Sequence, residues 1–421
     1  MLVSSDKLEA QVQTALPFLR ITSSVEGNGM GGISASLITD NAMAPLANPG
    51  QLGVMALNNY FTRGVYSPKT QWLPPFQISD LTFNASSVNL GLDISKVSAF
   101  PFPLSFGIGL SAVTLNLGKF AVTGSDPTVI RTFDAYESST NTSLAIGIDY
   151  FLKVGLGISL KNVTSSLGPN LFDTTREATA TVSTTDVGLI AMVPVVDILS
   201  KFRNEPMEIS PNTSPLFDIT VGYARRNLGN KLVVYIDPAQ GDPLPRTASL
   251  GLGWKIGLIS HAIPQGWEVV SFTLAREAED VLVSWLQDTL FISNGTFAIN
   301  IRSIYQDGAG DIQFFKNIIL GESNGEVVVR KGWQINLAEI LYIRGGSFFG
   351  QGLGYFTSGY GIALTGMLKF TAVMNHDRAP SPIFQFALDH LDVRIDHAVE
   401  NAGYYSPRNG TTYTGLNFIL R

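Results

Sequence analysis

The chain of 421 residues contains no cysteine, only four histidines, and charged side chains at just 15% of positions. Without cysteine there are no disulfides, thiolate zinc sites or cysteine nucleophiles. Twenty-eight basic against 34 acidic residues leave a net charge of −6, so no cationic excess exists to neutralise the phosphates of a nucleic acid. Long apolar runs are missing too: no stretch reaches the ~18 residues that a membrane helix needs. The nearest, Val187 to Leu199, is too short and is broken by Pro194 and Asp197. Met1 to Leu16 lacks the basic and apolar regions of a signal peptide. An outer-membrane protein requires one, so either the chain begins near its mature end or a membrane reading fails.

Against these absences stand 45% hydrophobic residues, 41 glycines and a mean hydropathy of +0.19. That composition excludes a disordered chain. Two architectures reconcile it with few charges and no membrane helix: a large soluble β protein, or a membrane β-barrel whose strands are apolar on one face only.

Period-two patterning runs through the chain beyond its first 50 residues. Leu152, Val154, Leu156, Ile158 and Leu160 share one face; Lys153, Gly155, Gly157, Ser159 and Lys161 share the other. Leu250, Leu252, Trp254, Ile256 and Leu258 oppose Ser249, Gly251, Gly253, Lys255 and Gly257 in the same way. The second face is mostly Gly, Ser, Ala and Thr with single charges, the character of a crowded barrel lumen rather than a solvated sheet. Strands are predicted near 52–66, 80–95, 103–122, 140–150, 152–164, 178–195, 216–227, 246–260, 266–276, 325–334, 335–345, 359–373, 388–398 and 413–421. The fold expected is an all-β transmembrane barrel of about fourteen antiparallel strands in a bacterial outer membrane. Residues 165–177, 199–215 and 228–245 read as extramembrane loops, and 279–290 as a short helix. Trp72, Phe76, Trp254, Trp267, Trp333, Tyr342, Tyr404 and Tyr405 are expected near strand ends, in aromatic girdles.

Chemical motifs are scarce. Gly27-x-Gly29-x-x-Gly32 has the dinucleotide spacing but no surrounding βαβ pattern, so it reads as a tight turn. His390, Asp392, Arg394, Asp396 and His397 crowd one segment. Alternation places His397 opposite the others and Arg394 between the acids, which reads as a lumenal charge ladder and not a metal site. No triad spacing, phosphate loop, cofactor motif or metal site is found, and no enzymatic activity is expected.

Several stretches resemble a known family: Ala15-Leu16-Pro17-Phe18-Leu19-Arg20-Ile21, Gly29-Met30-Gly31-Gly32, Asp40-Asn41-Ala42 and Asn48-Pro49-Gly50-Gln51-Leu52-Gly53, then Tyr66-Ser67-Pro68, Tyr235 to Arg246, Ala275 to Asp280 and Tyr342 to Gly346. Together they resemble the PorV/PorQ branch of FadL-like outer-membrane proteins. The chain departs from that pattern at Ala47, where an aromatic is usual, and at Gly50, where alanine is usual.

The resemblance implies residues 1–50 as a plug inside a barrel formed by 51–421. It places Pro17, Phe18, Leu19, Arg20, Gly29, Gly31, Gly32, Asn48 and Pro49 in the lumen. It implies a component of type IX protein secretion that binds a giant translocon barrel and accepts cargo by its C-terminal signal domain. The alternative is a FadL-type transporter of hydrophobic small molecules or lipids. Outer-membrane lipid is a further expected partner. Leu167, Leu171, Phe172, Asp237 and Pro238 are the expected partner-binding loop residues.

Overall fold

The computed structural model describes residues 14–97, 103–123, 128–169, 177–229, 232–235, 241–264, 266–292, 296–375, 381–403 and 406–421. In chain order the strands are β1 Phe61–Tyr66, β2 Thr70–Gln71, β3 Thr82–Asp93, β4 Leu104–Thr123, β5 Val129–Asp149, β6 Lys153–Pro169, β7 Glu177–Pro194, β8 Thr213–Leu228 and β9 Thr247–Ser260. They continue as β10 Trp267–Val281, β11 Val283–Ile292, β12 Thr296–Tyr305, β13 Val328–Leu337, β14 Leu341–Gly350, β15 Leu353–Ala363, β16 Leu391–Asn401 and β17 Thr412–Leu420. The α-helices are α1 Val25–Gly29, α2 Gly50–Asn58, α3 Ile94–Val97, α4 Val195–Arg203, α5 Leu364–Met374 and α6 Pro382–His390.

Every ring strand pairs antiparallel with its neighbours. β1 pairs with β17 (Phe61 opposite Leu420) and also with β3 (Phe61 opposite Leu90), which closes a ring of fourteen strands. The short β2 extends along β3, and β11 and β12 form a separate hairpin outside the ring. A closed ring has no edge, so every strand's amides and carbonyls are paired within the sheet. We expect an unboiled sample to migrate differently from a boiled one on an SDS gel, because the closed ladder must be broken cooperatively. Identical migration would rule out a closed barrel.

Burial is inside-out relative to a soluble protein. Leu110 and Leu160 keep 59% of their surface exposed, whereas Lys161 keeps 5% and Arg344 2%. Leu90, Ile108, Leu144 and Leu156 of β3 to β6 are exposed on the outer face, whereas Ser105, Asn141, Ser159 and Asp186 of β4 to β7 are buried on the inner one. Such an exterior is stable only against hydrocarbon, so the chain is a transmembrane β-barrel. No helix among the described residues is long and apolar enough to cross a membrane.

The barrel is taller on one side. β4 and β5 run for 20 and 21 residues, whereas β13 and β14 have 10 each, about the minimum for crossing the hydrocarbon. The C-terminus and the tight turns at 150–152 and 338–340 lie at one end; the longest connection, 282–327, lies at the other. Barrels of this type keep short turns in the periplasm and long loops outside, so the second end is the extracellular one.

Several sequence expectations are corrected. Residues 50–58 form α2 rather than the start of a strand, because a segment buried on all sides needs no alternation. The strand expected at 359–373 stops at Ala363 and turns into α5, whose apolar residues recur at helical spacing. The helix expected at 279–290 is instead the end of β10 followed by β11. The strand expected at 335–345 is split by a turn in which Ala338 and Glu339, not glycines, take positive φ, so the usual turn signal is absent. Residues 165–169 belong to β6, and α4 occupies part of the loop expected at 199–215. Trp72 and Tyr342 are buried on the inner side instead of joining a girdle, while Trp333 is outward and exposed. Tyr404 and Tyr405 lie outside the described residues.

Candidate functional site: the lumen and its N-terminal segment

The N-terminal segment packs against strands of the ring, α1 on β14 to β17 and α2 on β3 to β7. A 3-10 turn at Pro17–Arg20 opens it, with Pro17 in its first turn, where the missing N–H costs nothing. Phe18 and Leu19 are buried in one apolar cluster with Leu16, Trp72, Phe83, Leu115, Val163 and Leu244. Ala15 N donates to the Pro243 carbonyl at 3.0 Å, so the loop after β8 holds the start of the segment. The Ser24 side chain caps α1 by accepting from Gly27 N at 3.1 Å.

Beyond α1 the backbone touches the wall directly. Gly31 has φ of +77° and lies against the main chains of Ser347 and Lys331; a Cβ there would stand 2.6 Å from the Ser347 carbonyl oxygen. The Thr357 hydroxyl accepts from Gly31 N at 2.8 Å and donates to the Gly29 carbonyl at 3.1 Å. Gly32 also has positive φ, +85°. Asn48 Nδ2 donates to the Ala35 and Leu189 carbonyls at 2.7 and 2.9 Å, and its Oδ1 accepts from Gly50 N, which turns the chain at Pro49 into α2. Ser105 of β4 donates to the Gly53 carbonyl at 2.7 Å.

The charges on the inner wall are paired with the segment and with each other. One oxygen of Glu277 accepts the successive amides of Ser34, Ala35 and Ser36 at 3.1, 2.8 and 3.3 Å. Glu279 is met by Arg226 at 2.5 Å, Arg330 at 3.2 Å and Arg20 at 3.5 Å. Arg344 pairs with Asp396 at 2.6 Å and with Glu26 of α1 at 3.6 Å. Lys161 meets Asp186 at 2.7 Å and the Asn227 side chain at 2.8 Å. At the periplasmic end Arg421 meets Asp40 at 3.3 Å. Burial acts to raise the Asp40 carboxyl, but Arg421 and the Asn59 amide outweigh it and hold it below its ordinary value.

Among the described residues, two spaces lie beside the segment. The larger, about 240 Å³, lies among Pro17, Phe18, Ile21, Trp72, Leu115 and Phe348, with Arg20, Glu279, Arg330 and Arg408 also on its walls. It is an apolar slot with guanidinium groups along it. The smaller, about 30 Å³, lies between Phe18, Leu46, Val113 and Lys161.

Of the residues singled out from the sequence, Phe18, Leu19, Gly29, Gly31, Gly32, Asn48 and Pro49 are buried along the N-terminal segment, Arg20 is half-buried and Pro17 is exposed. Leu167 is an exposed residue of β6. Leu171, Phe172, Asp237 and Pro238 lie outside the described residues. Asp392, Arg394 and Asp396 share the inner face of β16, with Arg394 3.8 Å from Asp392. His390 binds the Arg421 carbonyl, and His397 the Thr414 hydroxyl, so the two do not converge. No group of metal-binding side chains occurs among the described residues. Sequence reasoning missed Glu277, Glu279, Arg226, Arg330 and Arg344. Glu277 and Glu279 carried a signal, two charges two apart on one face of a strand; Arg226, Arg330 and Arg344 are single charges with uncharged residues two positions to either side, and carried none.

The closed antiparallel ring and its apolar exterior define a class, that of transmembrane β-barrels of the bacterial outer membrane. No family model and no curated protein matches the chain. Among solved structures it is similar to a Pseudomonas aeruginosa FadL homologue, at 9% identity over 95% of this chain and 97% of that one, with a TM-score of 0.37. It is also similar to a deletion mutant of TodX, a monoaromatic hydrocarbon channel (12% identity, 94% and 96% covered, TM-score 0.34), and to the outer-membrane protein OprD of P. aeruginosa (11%, 86% and 91%, 0.29).

Proposed function

We propose that the protein binds hydrophobic small molecules and passes them across the outer membrane, with residues 14–59 as a plug that controls access. The observation carrying this reading is the 240 Å³ slot between the Pro17–Arg20 turn and the wall. Its aromatic and aliphatic walls suit an apolar body, and Arg20, Arg330 and Arg408 suit one polar or acidic end. Phe18 is its pivot, since it lines both spaces beside the segment. Phe18→Asp is expected to weaken binding of a medium-chain fatty acid by about tenfold or more, as a buried charge replaces an aromatic wall. Isothermal titration in detergent reads this. Unchanged affinity with an unchanged melting temperature would reject the slot as the site.

A second reading has one observation in its favour. The two stretches most like the PorV/PorQ branch, Ala15–Ile21 and Tyr235–Arg246, meet at the extracellular mouth through the Ala15–Pro243 hydrogen bond. Under this reading the mouth is a docking platform for a secretion translocon and its cargo. Mild-detergent extraction from the native membrane followed by mass spectrometry separates the two. A co-purifying giant barrel, or proteins sharing a C-terminal signal domain, supports secretion. Recovery alone with bound lipid or fatty acid supports transport.

A further inference from the structure

The lipid-facing wall carries a cavity of its own. Residues 306–322 leave the β11–β12 hairpin and fold back over the outside of β8 to β10. The Tyr223 hydroxyl donates to the Gly308 carbonyl at 3.0 Å, and Ile318 is fully buried against Ala278 and Leu250 on the outer face. Arg276 of β10 points outward and donates to the Ile318 and Ile319 carbonyls, which fixes the end of the short helical turn Phe314–Leu320. Beneath Ile319 a cleft of about 510 Å³ opens between that turn and the wall, lined outward by Trp254, Leu274, Trp333 and Phe356.

One feature of this cleft is out of place in a hydrocarbon-facing surface. Lys331 lines it, beside Arg276 across the β10–β13 pairing. Lys331 has no hydrogen bond or ion pair among the described residues, and no carboxylate lines the cleft. A cation on a lipid-exposed strand is costly at the midplane and tolerated near the interface. Lys331 is the fourth residue from the extracellular end of β13, a strand just long enough to span the hydrocarbon. It therefore stands near the outer-leaflet headgroups, with the apolar part of the cleft running below it.

We propose that this cleft is a site for an anionic outer-leaflet lipid. Its phosphate pairs with Lys331, and one acyl chain lies between Trp333, Leu274 and Phe356. Two features argue for a lipid as occupant. The cleft is continuous with the barrel's lipid-facing belt, and its cationic rim is complementary to a phosphate while its floor is apolar. Trp254 and Trp333 suit the boundary where an apolar chain meets a polar head.

The test uses the whole purified chain in detergent and native mass spectrometry. The probes are a bis-phosphorylated, hexa-acylated glucosamine disaccharide, its dephosphorylated form, and inorganic phosphate. The wild type is expected to retain the phosphorylated lipid about tenfold more than the dephosphorylated one, the worth of one charge-assisted contact. Lys331→Gln should remove that preference and Lys331→Arg should keep it, with heat-shifted gel mobility confirming that both variants fold. Equal retention of the two lipids by the wild type overturns the proposal, independently of any variant. So does an undiminished preference in a folded Lys331→Gln protein. Displacement of the lipid by millimolar inorganic phosphate also overturns it, in favour of a bare anion site.

Discussion

Glu279→Gln is expected to destabilise the barrel by about 3–5 kcal/mol, the cost of leaving buried cations without their counter-charge. Glu279 is fully buried, and three guanidiniums converge on it from different parts of the chain: Arg20 from the N-terminal segment, Arg226 from β8 and Arg330 from β13. Arg330 retains Glu277 at 3.4 Å, but no other ion pair of Arg226 occurs among the described residues. Arg20→Met should cost much less, because Arg20 is at 3.5 Å and partly open to water. Thermal unfolding in one detergent compares the two. Equal losses would mean that the carboxylate holds the segment alone and not the wall. Adding Arg226→Gln to Glu279→Gln should recover part of the loss, since the stranded charge goes with it.

Gly53→Val is expected to displace α2 from the lumen and to raise single-channel conductance severalfold in a planar bilayer. A Cβ at Gly53 would stand 2.1 Å from the Ile146 carbonyl oxygen. Ile146 and Gly147 belong to β5, which is hydrogen-bonded to both β4 and β6 along this stretch, so the wall cannot yield. The helix must move, and the overpacking costs about 3 kcal/mol or more. Leu57→Met on the same helix conserves volume and should leave conductance at the wild-type level. If Gly53→Val conducts like wild type with an unchanged melting temperature, α2 does not seal the lumen.

Much of this architecture was legible in order along the chain. The strict alternation of 152–161 and 249–258 announced strands with a greasy face, and the small, sparsely charged second face announced which side was lumen. The start of the strand expected at 52–66 is a helix instead, because Gly50 to Leu57 are all buried and no exposed face sets a period. The turn at 338–340 was missed because non-glycine residues take the left-handed conformation there. The Ala15–Ile21 and Gly29–Gly32 stretches stood out, yet nothing local says that Gly31 rests on Ser347, more than three hundred residues away.

The barrel, its approximate strand number and its membrane setting follow from alternation and composition, local properties that each strand carries alone. Which charges meet is settled by the closing of the ring. Glu277 receives three consecutive amides of the N-terminal segment and Glu279 receives three guanidiniums. The tertiary structure also decides that residues 306–322 fold over the outer wall and leave Lys331 above an apolar cleft. Those arrangements depend on how strands distant in sequence are brought side by side when the ring closes, and on a chain segment chosen to fill or cover it. No periodicity within a single strand encodes that.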